Sequence, residues 1–262
     1  MSAAPTNTPL VTVEHLWKRY DGSVALRDLT FEVFAGDVVG LVGPNGSGKS
    51  TLVDCVCGVL TVDSGQLRLM DEDITSLPTH TRVQKGLSRT FQEPRYFRNL
   101  SLLQHFQLAN QARDGHGLMS SYLRLAKVNE SDERAVRHAR EALAEVGLAP
   151  FADDSPAALS YGQAKLFNLA LALAERPLVL FLDEPLAGVS PAMVDKLERR
   201  LLDLRDAGQT IVLIEHDLDF VAQICDRVVV LSAGEKIAEG PPSVLREDPN
   251  VFEVLIGGTA GG

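Results

Sequence analysis

The sequence contains no long apolar run, no excess of basic residues and no recognisable leader. The longest apolar runs, such as Leu178–Leu182, are far shorter than the roughly 20 residues that a membrane-spanning helix requires, so we expect no such helix. Met1–Leu10 has neither the basic nor the apolar region of a secretory signal, and we expect none. The 262 residues include 35 acidic and 25 basic side chains, and the formal net charge of -10 argues against generic nucleic-acid binding, which needs a basic face.

Cysteine and aromatic residues are also scarce. The three cysteines, Cys55, Cys57 and Cys225, lack the spacing of zinc ligands, and without a secretion signal they indicate a reducing compartment and buried thiols. Hydrophobic residues make up 45% of the chain and charged residues 23%, near the averages of globular domains. A chain of this length and composition can bury enough surface to form one large domain, or a core domain with a smaller lobe.

Short runs of β-branched residues dominate the first part of the chain. They predict strands at Leu10–Val13, Leu29–Phe34 and Val38–Val42, the first two partly exposed and the third fully buried. A glycine-rich turn follows the third strand, and Lys49–Leu60 then has helical character. Strand, turn and helix in this order begin a parallel α/β sheet.

The pattern changes in the middle of the chain and then returns. Ser101–Arg113 and Ser131–Gly147 carry apolar residues at helical spacing, which predicts a helical insertion. The later strands lack polar alternation, as expected where helices cover both faces of a sheet. The elements predicted after the insertion are a strand at Leu178–Leu182, a helix at Pro191–Arg205, a strand at Thr210–Ile214, a helix after His216 and a strand at Arg227–Leu231.

The turn after the third strand fits the pattern of a phosphate-binding loop, in which Gly, four residues and Gly precede Lys and Ser or Thr. Glycines there let backbone N–H groups converge on phosphate oxygens, and the helix that follows adds its positive end. Lys49 supplies a charge for the terminal phosphates, and Ser50 supplies a hydroxyl ligand for Mg²⁺. The candidate contacts are Gly43, Pro44, Asn45, Gly46, Ser47, Gly48, Lys49 and Ser50, which we call the phosphate loop, with the adjacent Thr51.

Two acids end the buried strand at Leu178–Leu182. Burying the charges of Asp183 and Glu184 there would cost free energy unless a cation lay opposite them. Beside a phosphate loop that cation is Mg²⁺, held through water by Asp183. Glu184 is then placed to orient or deprotonate an attacking water.

Residues 159–163, Leu-Ser-Tyr-Gly-Gln, lie immediately before a helical run. This signature segment resembles the Leu-Ser-Gly-Gly-Gln signature of ATP-binding cassette proteins. The resemblance continues in order through Tyr20, Gln92 and His216, and it covers the chain from about Val11 to Gly240. Taken singly, each residue also has a structural explanation: a half-buried strand aromatic, a strand-end polar residue, a helix-start histidine and, for the signature serine, a helix N-cap.

The resemblance implies an α/β fold of the P-loop NTPase class. Its RecA-like core has a mainly parallel sheet and is accompanied by an antiparallel β subdomain and a helical insertion subdomain. The implied segments are 1–94 for the first part of the core with the β subdomain, 95–172 for the helical subdomain with the signature, 173–240 for the second part of the core, and 241–262 for a C-terminal helix and flexible tail.

The resemblance also implies a head-to-tail dimer that sandwiches two ATP molecules with Mg²⁺. Tyr20 would stack on adenine, while Ser160, Gly162 and Gln163 of one subunit would face the γ-phosphate held by the phosphate loop of the other. Glu184 would be the catalytic base, and His216 would hold the γ-phosphate and the attacking water. The Mg²⁺ contacts would come from Ser50, Gln92 and, through water, Asp183, with Gln92 also reporting the nucleotide state to a partner.

Several positions depart from the family pattern. The helix after the signature, which reads Asn-Leu-Ala-Leu-Ala-Leu from Asn168, lacks the arginine often found there. Tyr161 replaces the first glycine of the signature, and Ser190 stands where many members have Asp in the loop after the catalytic Glu. The last two departures concern communication between subunits and leave the prediction of ATP binding intact.

A narrower resemblance concerns the transported solute. Gly86–Gln92 followed by Arg95–Arg98, Glu215–Asp217 and Asp248–Val251 look like the ATPase subunits of branched-chain amino acid importers, whose relatives move amides or urea. Lipopolysaccharide-export ATPases share parts of the pattern. The resemblance implies a peripheral ATPase on the cytoplasmic face of the cell membrane, paired with itself or a related ATPase, with two transmembrane permease subunits and, indirectly, an extracytoplasmic solute-binding protein.

Three alternatives stay open at this point. A soluble cassette ATPase of translation or DNA repair is disfavoured by the single cassette, the lack of a coiled-coil or zinc insertion and the net charge of -10. A GTPase or small-molecule kinase is disfavoured by the signature, by His216 and by the lack of an Asn-Lys-x-Asp guanine motif. Tyr96 and Phe97 either offer apolar contact area to a partner helix or are core aromatics beneath the insertion.

Overall fold

The structure is a computed structural model that describes residues 8–90, 96–113, 130–174 and 176–257. The chain divides into two compact units. The first unit comprises Met1–Leu87, Leu178–Glu184 and Leu201–Gly262, and the second comprises Ser88–Pro177 and Pro185–Arg200.

Ten strands and nine helices are described in these ranges. The strands are β1 (Pro9–Tyr20), β2 (Ser23–Phe34), β3 (Val38–Val42), β4 (Ser64–Leu69), β5 (Glu72–Asp73), β6 (Leu87–Arg89), β7 (Val179–Asp183), β8 (Thr210–Ile214), β9 (Arg227–Ser232) and β10 (Glu235–Gly240). The helices are α1 (Lys49–Val56), α2 (Thr79–Gln84), α3 (Leu102–Arg113), α4 (Glu130–Glu145), α5 (Tyr161–Ala174), α6 (Pro191–Asp206), α7 (Leu218–Ile224), α8 (Val244–Glu247) and α9 (Pro249–Gly257).

The larger sheet has the strand order β10-β9-β3-β8-β7-β6 and is mostly parallel, as predicted. Strand β3 pairs in parallel with β8 and β9, β7 pairs in parallel with β8, and β10 is antiparallel to β9. Every residue of β3, β7 and β8 is buried, which explains their uniformly apolar sequences. Because parallel strands end at the same edge, the turns after Val42, Asp183 and Ile214 share one edge of this sheet.

The smaller sheet is antiparallel, with the order β2-β1-β4-β5, and confirms the predicted β subdomain. Its strands β1 and β2 each have 12 residues, so the predicted strands at Leu10–Val13 and Leu29–Phe34 are only parts of them. Several register shifts interrupt the β1–β2 pairing, and exposed charged residues alternate irregularly with buried ones. Such bulges break the period of two on which strand prediction depends.

Helix α1 is shorter than its predicted range of Lys49–Leu60 and ends at Val56. Gly58 adopts φ of +75°, a left-handed conformation that ends a helix. The Arg82 guanidinium, buried with 2% of its surface exposed, donates to the carbonyl oxygens of Cys55 and Val56 at 2.6 and 2.7 Å. The last carbonyls of the helix are therefore satisfied by a cation, which the helix dipole favours at this end.

The second unit is helical, in agreement with the predicted insertion. Helices α3, α4 and α5 contact one another, and their shared core includes Leu102, Phe106, Leu143 and Phe167. The predicted helices at Ser101–Arg113 and Ser131–Gly147 agree with α3 and α4 within a few residues.

Tyr96 and Phe97 have different environments. The Tyr96 hydroxyl donates to the carbonyl oxygen of Ala164 at 2.5 Å, and its ring lies 5.3 Å from that of Phe167. Burial raises the pKa of Tyr96 well above its usual value. Phe97 is 62% exposed, although its backbone N–H donates to Nε2 of His105. Tyr96 is thus a core aromatic of the second unit, whereas Phe97 presents its ring to the surface.

The prediction of buried thiols is confirmed, since Cys55, Cys57 and Cys225 are all free and buried. Burial raises the pKa of Cys55 to about 11 and that of Cys225 to about 12, so both thiols are protonated at neutral pH. Among the residues that the structure describes, no helix is long and apolar enough to cross a bilayer.

Candidate functional site

The phosphate loop connects β3 to α1, and two of its glycines are required by close contacts. A Cβ at Gly43 would lie 2.1 Å from the carbonyl oxygen of Leu231. At Gly48, where φ is +103°, a Cβ would lie 2.7 Å from the carbonyl oxygen of Ala25. Any other residue would displace backbone at both positions, so the glycines fix the loop against the rest of the first unit.

Lys49 is buried within the loop, with 6% of its surface exposed. Its ammonium donates to the carbonyl oxygens of Gly43 at 2.7 Å and Pro44 at 2.9 Å. Burial lowers the pKa of Lys49, while the carboxylates of Glu184 and Asp183 act in the opposite direction. The ammonium is therefore held by loop carbonyls, with two carboxylates contributing to its electrostatic environment.

The remaining loop residues differ in exposure. Ser47 is buried, whereas Asn45 and Gly46 are exposed at the tip of the loop. Ser50 is exposed and Thr51 is half-buried, and both lie in the first turn of α1. No side chain caps this end of the helix, so its first N–H groups are available to an anion together with the side-chain hydroxyls.

The two predicted acids occupy the end of β7. Asp183 is its last residue and is 6% exposed. Glu184 has φ of +46°, a left-handed conformation that non-glycine residues adopt rarely, and its backbone N–H donates to the carbonyl oxygen of Ile214 at 2.9 Å. The strained residue is thus fixed by a hydrogen bond to the neighbouring strand.

Glu184 and His216 form a direct pair, although they are 32 residues apart in the chain. Nε2 of His216 lies 2.9 Å from Oε1 of Glu184. Because a carboxylate can only accept, the imidazole carries its hydrogen on Nε2 in this contact. The side chains of Glu184 and His216 are 20% and 47% exposed, so water can reach the pair.

The sequence assigned no catalytic role to Glu215. This residue directly follows β8, and Asp183 is the last residue of β7. Glu215 is 5% exposed, and its carboxylate accepts from the backbone N–H of His216 at 3.1 Å. The signal that was present is a charged residue directly after a buried apolar strand. Glu215 fixes the backbone from which the His216 side chain extends.

Tyr20 is the last residue of β1 and is 42% exposed. The ammonium of Lys18 lies 5.6 Å from the centre of its ring. One part of the ring is therefore packed while another is open to solvent. This suits stacking on a planar ligand, and it also matches the structural explanation of Tyr20 as a half-buried strand aromatic. Gln92 lies outside the described residues.

The signature segment belongs to the second unit and forms a capping box at the start of α5. The backbone N–H of Ser160 donates to Oε1 of Gln163 at 2.8 Å, and the backbone N–H of Gln163 donates to the Ser160 hydroxyl at 3.4 Å. Ser160 is exposed, whereas Gly162 is buried. The structural explanation for Ser160 as an N-cap is correct, and its exposed hydroxyl remains accessible at the positive end of a 14-residue helix.

A mostly parallel sheet with a glycine-rich phosphate loop, a buried lysine and a carboxylate–histidine pair at one edge defines a P-loop nucleoside triphosphatase. Residues 26–187 match the ABC transporter family, and this chain belongs to that family. The chain is therefore an ATP-binding subunit that hydrolyses ATP.

Individual relatives resemble the chain over nearly its whole length. The high-affinity branched-chain amino acid transport ATP-binding protein BraF of Pseudomonas aeruginosa is 33% identical, over 95% of this chain and 98% of that protein. The lipopolysaccharide export system ATP-binding protein LptB of Escherichia coli is also 33% identical, over 94% and 97%. The crystal structure of an ABC transporter cassette in its ADP conformation has a TM-score of 0.81 at 31% identity, covering 96% of this chain and 100% of that one.

Proposed function

We propose that this chain is the ATPase subunit of an importer for branched-chain amino acids or related small polar solutes. The observation that carries the proposal is the similarity to BraF over 95% of this chain. The chain would act at the cytoplasmic face of the cell membrane as a peripheral subunit. Its partners would be two transmembrane permease subunits and, indirectly, an extracytoplasmic solute-binding protein.

The ATPase would work as a head-to-tail pair, with a second copy or a related chain. ATP bound by the phosphate loop of one subunit would then meet Ser160, Gly162 and Gln163 of the other. The exposed Ser160 hydroxyl at the start of α5 supports this role, because a helix N-terminus favours an anion. Closure would be driven by contacts that ATP makes only in the closed pair.

Within one subunit, ATP would be held by the first unit and by Gln92. The backbone and side chains of residues 43–51 would bind the phosphates, with Lys49 as the cation, and Tyr20 would stack on the adenine. The donors present fit Mg²⁺, since Ser50 offers a hydroxyl and Asp183 a carboxylate, and Mg²⁺ bound to nucleotides takes few protein ligands. Bound Mg²⁺, with Gln92 as a further ligand, would neutralise charge on the phosphates.

For hydrolysis, Glu184 would act as general base and accept a proton from the attacking water at a carboxylate oxygen. The hydrogen bond from Nε2 of His216 to Oε1 orients the carboxylate and leaves Oε2 as the oxygen that accepts the proton. When ATP is bound, the Nε2–H of His216 would donate to the γ-phosphate instead of to Oε1, and His216 would hold the γ-phosphate and the water in line.

Transport is tested in vesicles that contain the chain, its permease subunits and a labelled branched-chain amino acid. ATP-dependent uptake should occur with the parental chain and be lost with Lys49→Ala, while Lys85→Ala, which removes an exposed ion pair with Glu72, should retain uptake. Uptake that survives Lys49→Ala would contradict the proposal.

Dimerisation is tested by size-exclusion chromatography with light scattering on Glu184→Gln. We expect a dimer only with Mg²⁺-ATP, and we expect the additional change Ser160→Arg to abolish it. ATP binding without a dimer would mean that a different ATPase chain supplies the second half, or that the signature segment does not bind nucleotide.

The similarity to LptB supports a second candidate, the ATPase of a lipopolysaccharide-type exporter. Affinity purification from the source membrane distinguishes the two, since an importer ATPase should co-purify with its permeases and solute-binding protein. Co-purification with ribosomes or DNA instead would favour a soluble cassette ATPase.

A further inference from the structure

Tyr161, which departs from the common signature, lies in the second unit against the loop that ends at a second departure, Ser190. Tyr161 is the first residue of α5, and Ser190 ends the loop Leu186–Ser190 that precedes α6. Gly188 of this loop has φ of +71°, and a Cβ built on it would lie 3.1 Å from Cε1 of Tyr161 and 3.8 Å from its hydroxyl oxygen. The tyrosine ring therefore covers the one loop residue that has no side chain.

The ring is also held from its own helix. The ammonium of Lys165, one turn further along α5, lies 5.7 Å from the centre of the Tyr161 ring. Lys165 is 5% exposed, so this neighbour is itself fixed. A cation over an aromatic face is attractive, so Lys165 helps to hold a ring that is 48% exposed.

A second contact joins the same two segments. A Cβ at Gly162 would lie 2.6 Å from Cγ of Met193 and 3.3 Å from Cγ1 of Val189. Glycine at position 162 thus allows the first turn of α5 to approach the loop and the start of α6. The loop therefore has two contacts with the start of α5, one through the Tyr161 ring at Gly188 and one through the close approach of Gly162 to Val189.

The loop follows Glu184 after a single residue, Pro185. Glu184 has its strained φ of +46°, and such a conformation persists only where the flanking structure determines it. Contacts that fix the loop Leu186–Ser190 therefore limit the backbone freedom of Glu184, which lies two residues before the loop. A glycine at position 161, as in the common signature, would provide no ring for this purpose.

We propose that Tyr161 is a positioning residue that, through its contact with Gly188, fixes the loop after Glu184 and thereby orients the base for hydrolysis. The inference rests on the proposed function, in which Glu184 is the general base. Tyr161 acts through the loop and does not itself contact ATP. It joins the segment that would face the partner's nucleotide to the segment that orients the subunit's own base.

The test compares Tyr161→Ala with Tyr161→Phe, which keeps the ring and removes only the hydroxyl. Tyr161→Ala should lower kcat for ATP hydrolysis by about 5-fold, the scale of one direct side-chain coupling, with KM for ATP unchanged within about 2-fold. Tyr161→Phe should hydrolyse ATP at the parental rate. In the Glu184→Gln background, Tyr161→Ala should still give the ATP-dependent dimer.

Gly188→Ala completes a double-mutant cycle. Its methyl group meets the ring, so this change should also lower kcat, but by less in the Tyr161→Ala background than in the parental chain. Multiplicative effects of the two changes would overturn the proposed contact. So would an unchanged kcat for Tyr161→Ala, or loss of the ATP-dependent dimer, which would assign Tyr161 to nucleotide binding by the signature segment.

Glu184→Gln, measured beside the cycle, separates failure of this inference from failure of the proposed role of Glu184. If Glu184→Gln hydrolyses ATP at the parental rate, Glu184 is not the base and both fail. If Glu184→Gln is inactive and the cycle shows no coupling, only the role of Tyr161 is overturned.

Discussion

The phosphate loop and the signature segment are both glycine-containing turns that lead into a helix, but they are stabilised in different ways. The phosphate loop is held by two glycines that lie against the backbone of other segments, at Leu231 and Ala25, and by a buried lysine that donates to the loop's own carbonyls. The signature segment is held by one capping box, and its serine remains exposed. In the proposed function, the first would bind phosphates within its own subunit, whereas the second would present its serine to the nucleotide of a partner.

The largest effect that tests this comparison is expected from Glu184→Gln. Removing the base should lower kcat for ATP hydrolysis by about 100-fold or more, because general base catalysis contributes on that scale. ATP affinity should be retained, since the phosphate loop is unchanged. Phosphate release and equilibrium nucleotide binding measure the two quantities, and a rate equal to that of the parental chain would remove Glu184 from its role.

Arg82→Met tests how much the buried arginine at the C-terminal end of α1, the helix after the phosphate loop, contributes to stability. The change should lower the free energy of unfolding by at least about 3 kcal/mol, because it leaves several buried acceptors without a donor. Chemical denaturation measures it. Arg27→Met is the control, since the Arg27 side chain forms an exposed ion pair with Glu235 and its replacement should cost less than about 1 kcal/mol. The acceptors of Arg82 are the carbonyl oxygens of Cys55, Val56, Thr75 and Leu77.

Lys49→Ala should raise the Kd for ATP by about 10- to 150-fold. The lost charge-assisted contact is worth about 1.5–3 kcal/mol, and isothermal titration with Mg²⁺-ATP measures the change. A Kd within about 2-fold of the parental value would show that the loop binds phosphate without its cation.

The smallest effect on stability is expected from two changes at Ser160. Asp and Asn both cap helices about as well as Ser, so Ser160→Asp and Ser160→Asn should unfold within about 0.5 kcal/mol of the parental chain. Only the aspartate adds a charge that repels phosphate. In the Glu184→Gln background, Ser160→Asn should keep the ATP-dependent dimer and Ser160→Asp should lose it, as measured by light scattering. An ATP-dependent dimer in both variants would mean that Ser160 serves only as a cap, and loss of the dimer in both would mean that the added charge is not the cause.

The sequence was sufficient to predict the structure where a short stretch of residues determines it. The buried parallel strands and the phosphate loop were predicted because apolar runs and glycine spacing are local signals, and α1 differs only at its end. The lengths of strands β1 and β2 were underestimated because bulges break the alternation of buried and exposed residues. Neither the pairing of Glu184 with His216 nor the division between buried Tyr96 and exposed Phe97 follows from spacing, since both depend on tertiary packing.

The placement of Lys49 has a consequence for how ATP is captured. A free lysine side chain loses up to about 2 kcal/mol of conformational entropy when it is fixed in one rotamer. Here the side chain is confined by the protein itself, because the carbonyls of Gly43 and Pro44 accept hydrogen bonds from the ammonium. The entropy cost of ordering the lysine side chain is therefore part of protein folding and not of nucleotide binding. Phosphate oxygens would replace the carbonyl oxygens as acceptors of the ammonium, and no mobile side chain would have to be ordered.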